Sequence, residues 1–334
     1  MKIAIDAMGG DYAPAVVVQG VYDASKLFPD DELILVGDKD KIEQELQVKS
    51  LELPKNVSIH HCSEVVEMHE SPVAALRKKK NSSILVATEL VKSGKADALV
   101  SAGNTGAAVA ATTLKWRMLP GVDRPGIALP LPNLDGISVL LDVGANIVCK
   151  PIHYFQYAIM GKVYYENIFK KSNTRIGLLN IGEEDSKGGD DMKEVYSFLK
   201  SSFKDFMGNV EGRDIYNGKC DVIICDGFVG NVVLKVSEGL VENLVLLTKR
   251  ALKKNIITKL GAFLALPAFK QVKKDTDYSE FGGAPLLGVD GVCIISHGGS
   301  SAKAIKNAVR VAREFVIFNI NDIITQEIRK YNVF

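Results

Sequence analysis

Apolar positions fall into short runs separated by longer stretches with helical spacing. Residues 2–7, 32–36 and 57–61 read as strands, and 99–101 end another. Residues 127–131, 138–142, 175–180, 221–226 and 292–296 continue the series. Several are almost wholly apolar and rich in Ile, Leu and Val, as expected of strands covered on both faces. Residues 71–80, 82–93, 104–116, 152–170, 190–202, 230–254 and 300–330 read as helices. The alternation predicts a three-layer α/β/α fold with a largely parallel sheet. No repeat or linker interrupts residues 1–334, so one domain is the simpler organisation.

Six predicted strands end in glycine together with Asp, Asn, Ser or His. The turns are Asp6-Ala7-Met8-Gly9-Gly10-Asp11, Ser101-Ala102-Gly103-Asn104-Thr105-Gly106 and Asp142-Val143-Gly144-Ala145-Asn146. The others are 180–185, Asp226-Gly227-Phe228-Val229-Gly230-Asn231 and His297-Gly298-Gly299-Ser300-Ser301 after Ser296. Ligands of open α/β sheets bind outside the carboxyl ends of strands. Glycine admits close backbone approach there, and a following helix N-terminus offers unpaired N–H groups and a positive dipole end. One such turn is usually only a helix cap, but six in one chain point to a shared polar site. Asp6, Asp11, Asp142 and Asp226 suit either Mg²⁺ binding or the orienting of loops by accepting backbone N–H groups.

Composition then removes several classes. The 334 residues carry 41 basic and 40 acidic side chains and are 47% apolar, which argues against disorder and coiled coil. A net charge of +1 argues against bulk nucleic-acid binding. No apolar run reaches the roughly 18 residues of a membrane span, and Asp6 falls too early for a signal peptide. Five cysteines without CxxC spacing read as reduced core thiols of a cytoplasmic protein, and no Cys/His cluster has zinc spacing. GxGxxG after a strand, GxxxxGK[ST] and GxSxG are absent. The charge is also uneven. Residues 249–274 hold eight basic and no acidic side chains, leaving −7 on the other 308. The middle of that segment is almost wholly apolar, with Gly261 and Pro267 expected to break any long helix.

The runs IAIDAMGGDYAP, RKKKNSS, SAGNTGA, GVDRP, LLDVGAN, QYAIMG, LLNIGEED, GNVEGRD and DGFVGN, in that order, resemble the bacterial phosphate acyltransferases of phospholipid synthesis. YSEFGGAPLLGV extends the likeness to Val289, and HGGSS departs from the family's pattern by one extra glycine. The resemblance implies an enzyme that moves a fatty acyl group from acyl carrier protein to inorganic phosphate, without a cofactor or metal. Its acyl phosphate product would pass to a glycerol-3-phosphate acyltransferase. It also implies a homodimer with a fold similar to the phosphotransacetylase and isocitrate-dehydrogenase group.

On that resemblance, phosphate and acyl phosphate are expected at Asp6, Gly9, Gly10, Asp11, Ser101, Gly103, Asn104, Thr105, Gly106, Asp142, Asp226 and Gly230. Asn146 and Asn231 would donate to the acyl carbonyl. Lys187 would neutralise phosphate or thiolate, and His297 would protonate the leaving thiolate. An acidic carrier protein needs a basic dock. The candidates are Arg77, Lys78, Lys79 and Lys80, and the Arg310/Arg313 face of the last helix. A helical arm over 238–280 has three readings: dimer contact, carrier dock, or reversible seating on anionic membrane. The last would bury Ile256, Ile257, Leu260, Phe263, Leu264, Leu266 and Phe269. A dehydrogenase on the related fold and a non-catalytic scaffold are the competing functions.

Overall fold

The computed structural model describes residues 1–275 and 278–331. Its strands are β1 (Lys2–Asp6), β2 (Glu32–Gly37), β3 (Val57–His61), β4 (Ala98–Ser101), β5 (Gly126–Asn133), β6 (Gly136–Leu141), β7 (Ile176–Leu179), β8 (Phe206–Val210), β9 (Val222–Ile224), β10 (Ala284–Leu287) and β11 (Val292–Ile295). Its helices are α1 (Ala15–Leu27), α2 (Lys39–Val48), α3 (Pro72–Lys78), α4 (Ser83–Lys92), α5 (Thr105–Trp116), α6 (Pro151–Ile168), α7 (Asp190–Ser202), α8 (Gly227–Leu252), α9 (Ile256–Leu264), α10 (Leu266–Asp275), α11 (Ala302–Ile317) and α12 (Ile320–Lys330).

All described strands join one eleven-stranded sheet in the order β3-β2-β1-β4-β11-β10-β5-β6-β9-β7-β8. The two wings are parallel, but β10 and β5 are antiparallel to each neighbour. Three reversals make the wings run in opposite directions. Ala284 pairs with Ile295, Leu287 with Gly126 and Ala128 with Leu141, so the wings overlap side by side. The six polar turns therefore divide three and three between opposite edges of the sheet.

One face of the sheet is covered by α1, α11, α6 and α12, with Tyr157, Tyr164 and Phe315 among its fully buried side chains. The other face packs α4 and α5 through Ile84, Ala87, Ala108 and Ala111. Burying this apolar surface supplies the main drive to fold. Four departures from the sequence pattern have local causes. The valine-rich residues 15–27, not read as a helix from sequence, form α1, whose Gly20 lets α11 pack closely; a Cβ there would lie 2.6 Å from Ile305. The predicted 300–330 helix breaks at Asn319, which takes a left-handed φ of 50° and divides α11 from α12. Gly261 lies inside α9 and does not break it, and Pro267 sits in the first turn of α10, where a missing N–H costs nothing. The chain breaks at Ala265 instead.

Candidate active site

The first group of turns is built on β1, β4 and β11. Ser101 Oγ donates to Asp6 Oδ2 at 2.8 Å, and the Gly103 N–H donates to Ser101 Oγ at 3.1 Å. The Met8 N–H donates to Asp6 Oδ1 at 3.2 Å. Burial pushes the Asp6 carboxyl above its usual range, against hydrogen bonds from Ser83, Ser101 and the Met8 and Gly9 N–H groups. A Cβ on Gly9 would stand 2.6 Å from Gly103 N, so this glycine lets two turns pack rather than admitting a ligand. The Asp11 N–H donates to Gly298 O at 2.9 Å and ties in the turn after β11.

Asn104 caps α5: its Oδ1 accepts the Ala107 N–H at 3.0 Å. Its Nδ2 donates to Met68 O at 3.0 Å and Glu70 O at 3.1 Å, clamping that loop over the helix. The side chain is thus committed to structure. Thr105 is exposed, and the Thr105 and Gly106 N–H groups open the helix without a protein partner among the described residues.

In the second group, the Asp142 turn has its backbone N–H groups spent. Asp142, fully buried, accepts the N–H groups of Ile127 (3.0 Å), Gly144 (3.0 Å), Ala145 (2.9 Å) and Asn146 (2.8 Å). Burial raises its carboxyl above the usual range while those four bonds oppose the shift. Asn146 Nδ2 donates to Pro125 O and to Tyr157 Oη, the latter at 2.8 Å. Asp226 Oδ1 caps α8 through the Val229 N–H at 2.8 Å, and its Oδ2 accepts from Tyr154 Oη at 3.2 Å. A Cβ on Gly230 would lie 1.9 Å from Asp142 O, so the start of α8 rests directly on the Asp142 turn. Asn231 is exposed, makes no hydrogen bond through its amide among the described residues, and faces Gly144 at 3.9 Å from where a Cβ there would stand.

The third turn of this group follows β7. Asn180 Nδ2 donates to Lys187 O at 3.1 Å, and Asn209 Nδ2 donates to Glu184 O at 2.8 Å. Lys187 Nζ rests 3.7 Å from Glu184 Oε1.

Two features connect the groups. Helix α8 starts at the second and reaches the first, where His297 Nε2 faces Lys235 Nζ at 3.1 Å and Glu238 Oε1 at 3.8 Å. The Gly299 N–H donates to His297 Nδ1 at 3.1 Å. A cavity of about 970 Å³ touches Gly106 of the first group and Gly144, Ala145 and Asn146 of the second.

Among the described residues, no three His, Cys, Asp or Glu side chains gather as a metal site. Cys149 lies beside Asn146, but burial holds its thiol up at about 11, so it supplies little thiolate near neutrality. Tyr154, Tyr157, Asn209, Lys235 and Glu238 escaped the sequence reading. Both tyrosines lie one turn apart in an apolar helix, and a buried phenol needs a partner; that need was the available signal.

The docking candidates fall into two sets. Lys79 pairs with Glu70 at 2.6 Å, Arg310 with Glu314 at 2.8 Å and Arg313 with Asp31 at 2.8 Å. Arg77, Lys78 and Lys80 stand exposed. In the arm, Ile256, Ile257, Leu260, Phe263, Leu264, Leu266 and Phe269 are all exposed, and α9 buries no residue. Among the described residues, no helix is long and apolar enough to cross a membrane.

Comparison with known proteins decides the family. Residues 1–322 match the family model described as "Fatty acid synthesis protein". A phosphate acyltransferase of Geobacter sulfurreducens is 49% identical over 321 residues, covering 96% of this chain and 92% of that protein. The chain belongs to the phosphate acyltransferase family. A second such acyltransferase, from Heliobacterium modesticaldum, is 51% identical over 316 residues, with 95% and 94% covered. The fold is that of a Streptococcus pyogenes phosphotransacetylase, matched at a TM-score of 0.62 and 17% identity over 95% of this chain and 94% of that one. Membership makes this chain an acyltransferase, and the phosphotransacetylase-like expectation for the fold holds.

Proposed function

We propose that this acyltransferase moves a long-chain acyl group from acyl carrier protein to inorganic phosphate by direct attack. A phosphate oxygen attacks the thioester carbonyl and forms the new C–O bond. The carbonyl becomes an oxyanion, then re-forms as the C–S bond breaks, and the leaving thiolate takes a proton. Phosphate is already anionic near neutrality, so the step needs no strong base. Phosphate binds at Thr105 and the open N–H groups of α5, supported from behind by Asp6, Gly9, Gly10, Asp11, Ser101 and Gly103. Asn231 donates to the oxyanion. Asn146, Asp142, Asp226 and Gly230 hold the surface that Asn231 faces. Lys187 and His297 serve the phosphate and thiolate charges. One observation carries this reading: a single cavity touches the open N-terminus of α5 and the turn against which Asn231 rests.

The test is to incubate the protein with acyl carrier protein charged with palmitate and with phosphate, trapping product as hydroxamate. Acyl phosphate matched one-to-one by free carrier thiol is expected. Carrier thiol released with the acyl group left on the enzyme, or no turnover at all, would overturn direct attack.

The partners follow as part of the same proposal. The carrier docks on Arg77, Lys78 and Lys80, and charge reversal there should raise its KM. The protein is a cytoplasmic homodimer that seats Ile257, Leu260, Phe263, Leu264, Leu266 and Phe269 reversibly on anionic membrane. The product goes to a glycerol-3-phosphate acyltransferase. The exposed apolar face of α9, beside Lys253 and Lys254 that have no ion-pair partner among the described residues, supports the membrane reading. Flotation with anionic vesicles that Leu264→Glu abolishes is expected; equal flotation of the variant would contradict it.

A further inference from the structure

The cavity is larger than the transfer chemistry requires. Its walls are the facing sides of α3, α4 and α5, contributed by Leu76, Val86, Leu90, Val109, Ala110 and Leu114. From Gly106 to Leu114 the α5 wall runs about 12 Å. At about 970 Å³ the space lies at the upper end for a small-molecule site, roughly 300–1,000 Å³. Its rim carries Arg77, Lys80, Lys95 and Arg124, none of them in an ion pair among the described residues. An apolar trough under a cationic rim complements a ligand with an apolar tail and an anionic arm.

We infer that this trough is the acyl-chain site, and that Val109 and Ala110 on α5 set which chain lengths are accepted. The inference rests on the acyl-transfer reading and adds to it the residues that measure the tail. The carbonyl end lies where the trough meets Gly106 and the Gly144–Asn146 turn, within reach of Asn231. The tail runs along α5 beneath α3 and α4. Arg77 and Lys80 lie over the donor's anionic arm. Val109 and Ala110 are half-buried and adjacent on the wall, about one helical turn beyond Gly106, so larger side chains there block the trough past the first few carbons of the chain.

The experiment compares kcat/KM for butyryl and palmitoyl carrier protein in the wild type, Val109→Phe and Ala110→Phe. A lost methylene contact lowers transfer about fourfold, so blocking even two should lower the palmitoyl-to-butyryl ratio by about tenfold or more. Butyryl turnover should stay near its starting value. A folding defect would lower both substrates alike and leave the ratio fixed; Val109→Ala, which shortens the side chain, should then keep or widen the tolerance for long chains. If both Phe variants keep the wild-type ratio, the tail lies elsewhere. If the wild type makes acyl phosphate from neither donor, the acyl-transfer reading itself has failed, which is a separate result.

Discussion

The two polar turn groups look alike in sequence and do opposite things in the structure. Asp142 consumes every nearby N–H of its loop, at Gly144, Ala145 and Asn146, and leaves none to hold an anion. Asp6 accepts Ser101 and Met8, but the N-terminal N–H groups of Thr105 and Gly106 remain open at the start of α5. A turn whose donors are spent becomes a scaffold, and one whose donors are open becomes a receptor. On the proposed function, phosphate goes to the first group and the second presents the neutral amide of Asn231. Glycine does not follow this division. Gly9 and Gly230 are required by protein packed against them, at 2.6 Å and 1.9 Å from where a Cβ would stand.

The sharpest test of the scaffold is Gly230→Ala. Overpacking against the Asp142 carbonyl should cost about 3 kcal/mol or more in denaturant unfolding. Gly239→Ala, farther along the same helix with nothing within 4 Å of its Cβ position, should be neutral or slightly stabilising. Equal behaviour of the two would remove the packing explanation.

The next effect is catalytic. Asn231→Ala should lower kcat by about 100-fold, as for a lost oxyanion donor, with the KM for phosphate nearly unchanged. A rise in that KM instead would place phosphate at the second group.

Asp221, at the opposite end of β9 from Asp226, tests whether the second wing's stability is separable from its site. It accepts Arg175 Nη2 at 2.9 Å and Tyr165 Oη at 3.1 Å. Burial pushes its carboxyl up, but the bonds from Arg175 outweigh that and hold it below its ordinary value of 3.8. A depressed folded value stabilises the protein above the unfolded value and is lost as pH falls through the folded one. Asp221→Asn should therefore cost about 2 kcal/mol at neutral pH, with kcat retained. The melting-temperature gap to the wild type should shrink below pH 3.8.

The smallest effect belongs to the receptor group. Thr105→Val should raise the KM for phosphate about fivefold to tenfold, the loss of one hydroxyl hydrogen bond, while kcat holds.

The α/β/α layering and most strands were legible because central strands are apolar on both faces and helices keep their spacing. Strand direction was not. The antiparallel β10 has four residues, two pairing with each neighbour, and its Ala-Pro-Leu-Leu sequence carries no period. Without it the sheet reads as one parallel run, and six turns read as one edge. β8, Phe-Met-Gly-Asn-Val, was hidden by its interior Gly and Asn. α2 was hidden by having only Ile42 and Leu46 on its buried face. Among the site residues, the types were readable but their commitments were not. Asn104 and Asn146 look like free amides in sequence, and both are spent on neighbouring backbone carbonyls.

A crystal structure of the protein with phosphate bound tests the division of labour most directly. The anion should rest against Thr105 Oγ1 and the Thr105 and Gly106 N–H groups, with the Asp142 loop unchanged. Phosphate held instead by the Gly144–Asn146 backbone, with Asp142 displaced from its four N–H groups, would contradict it.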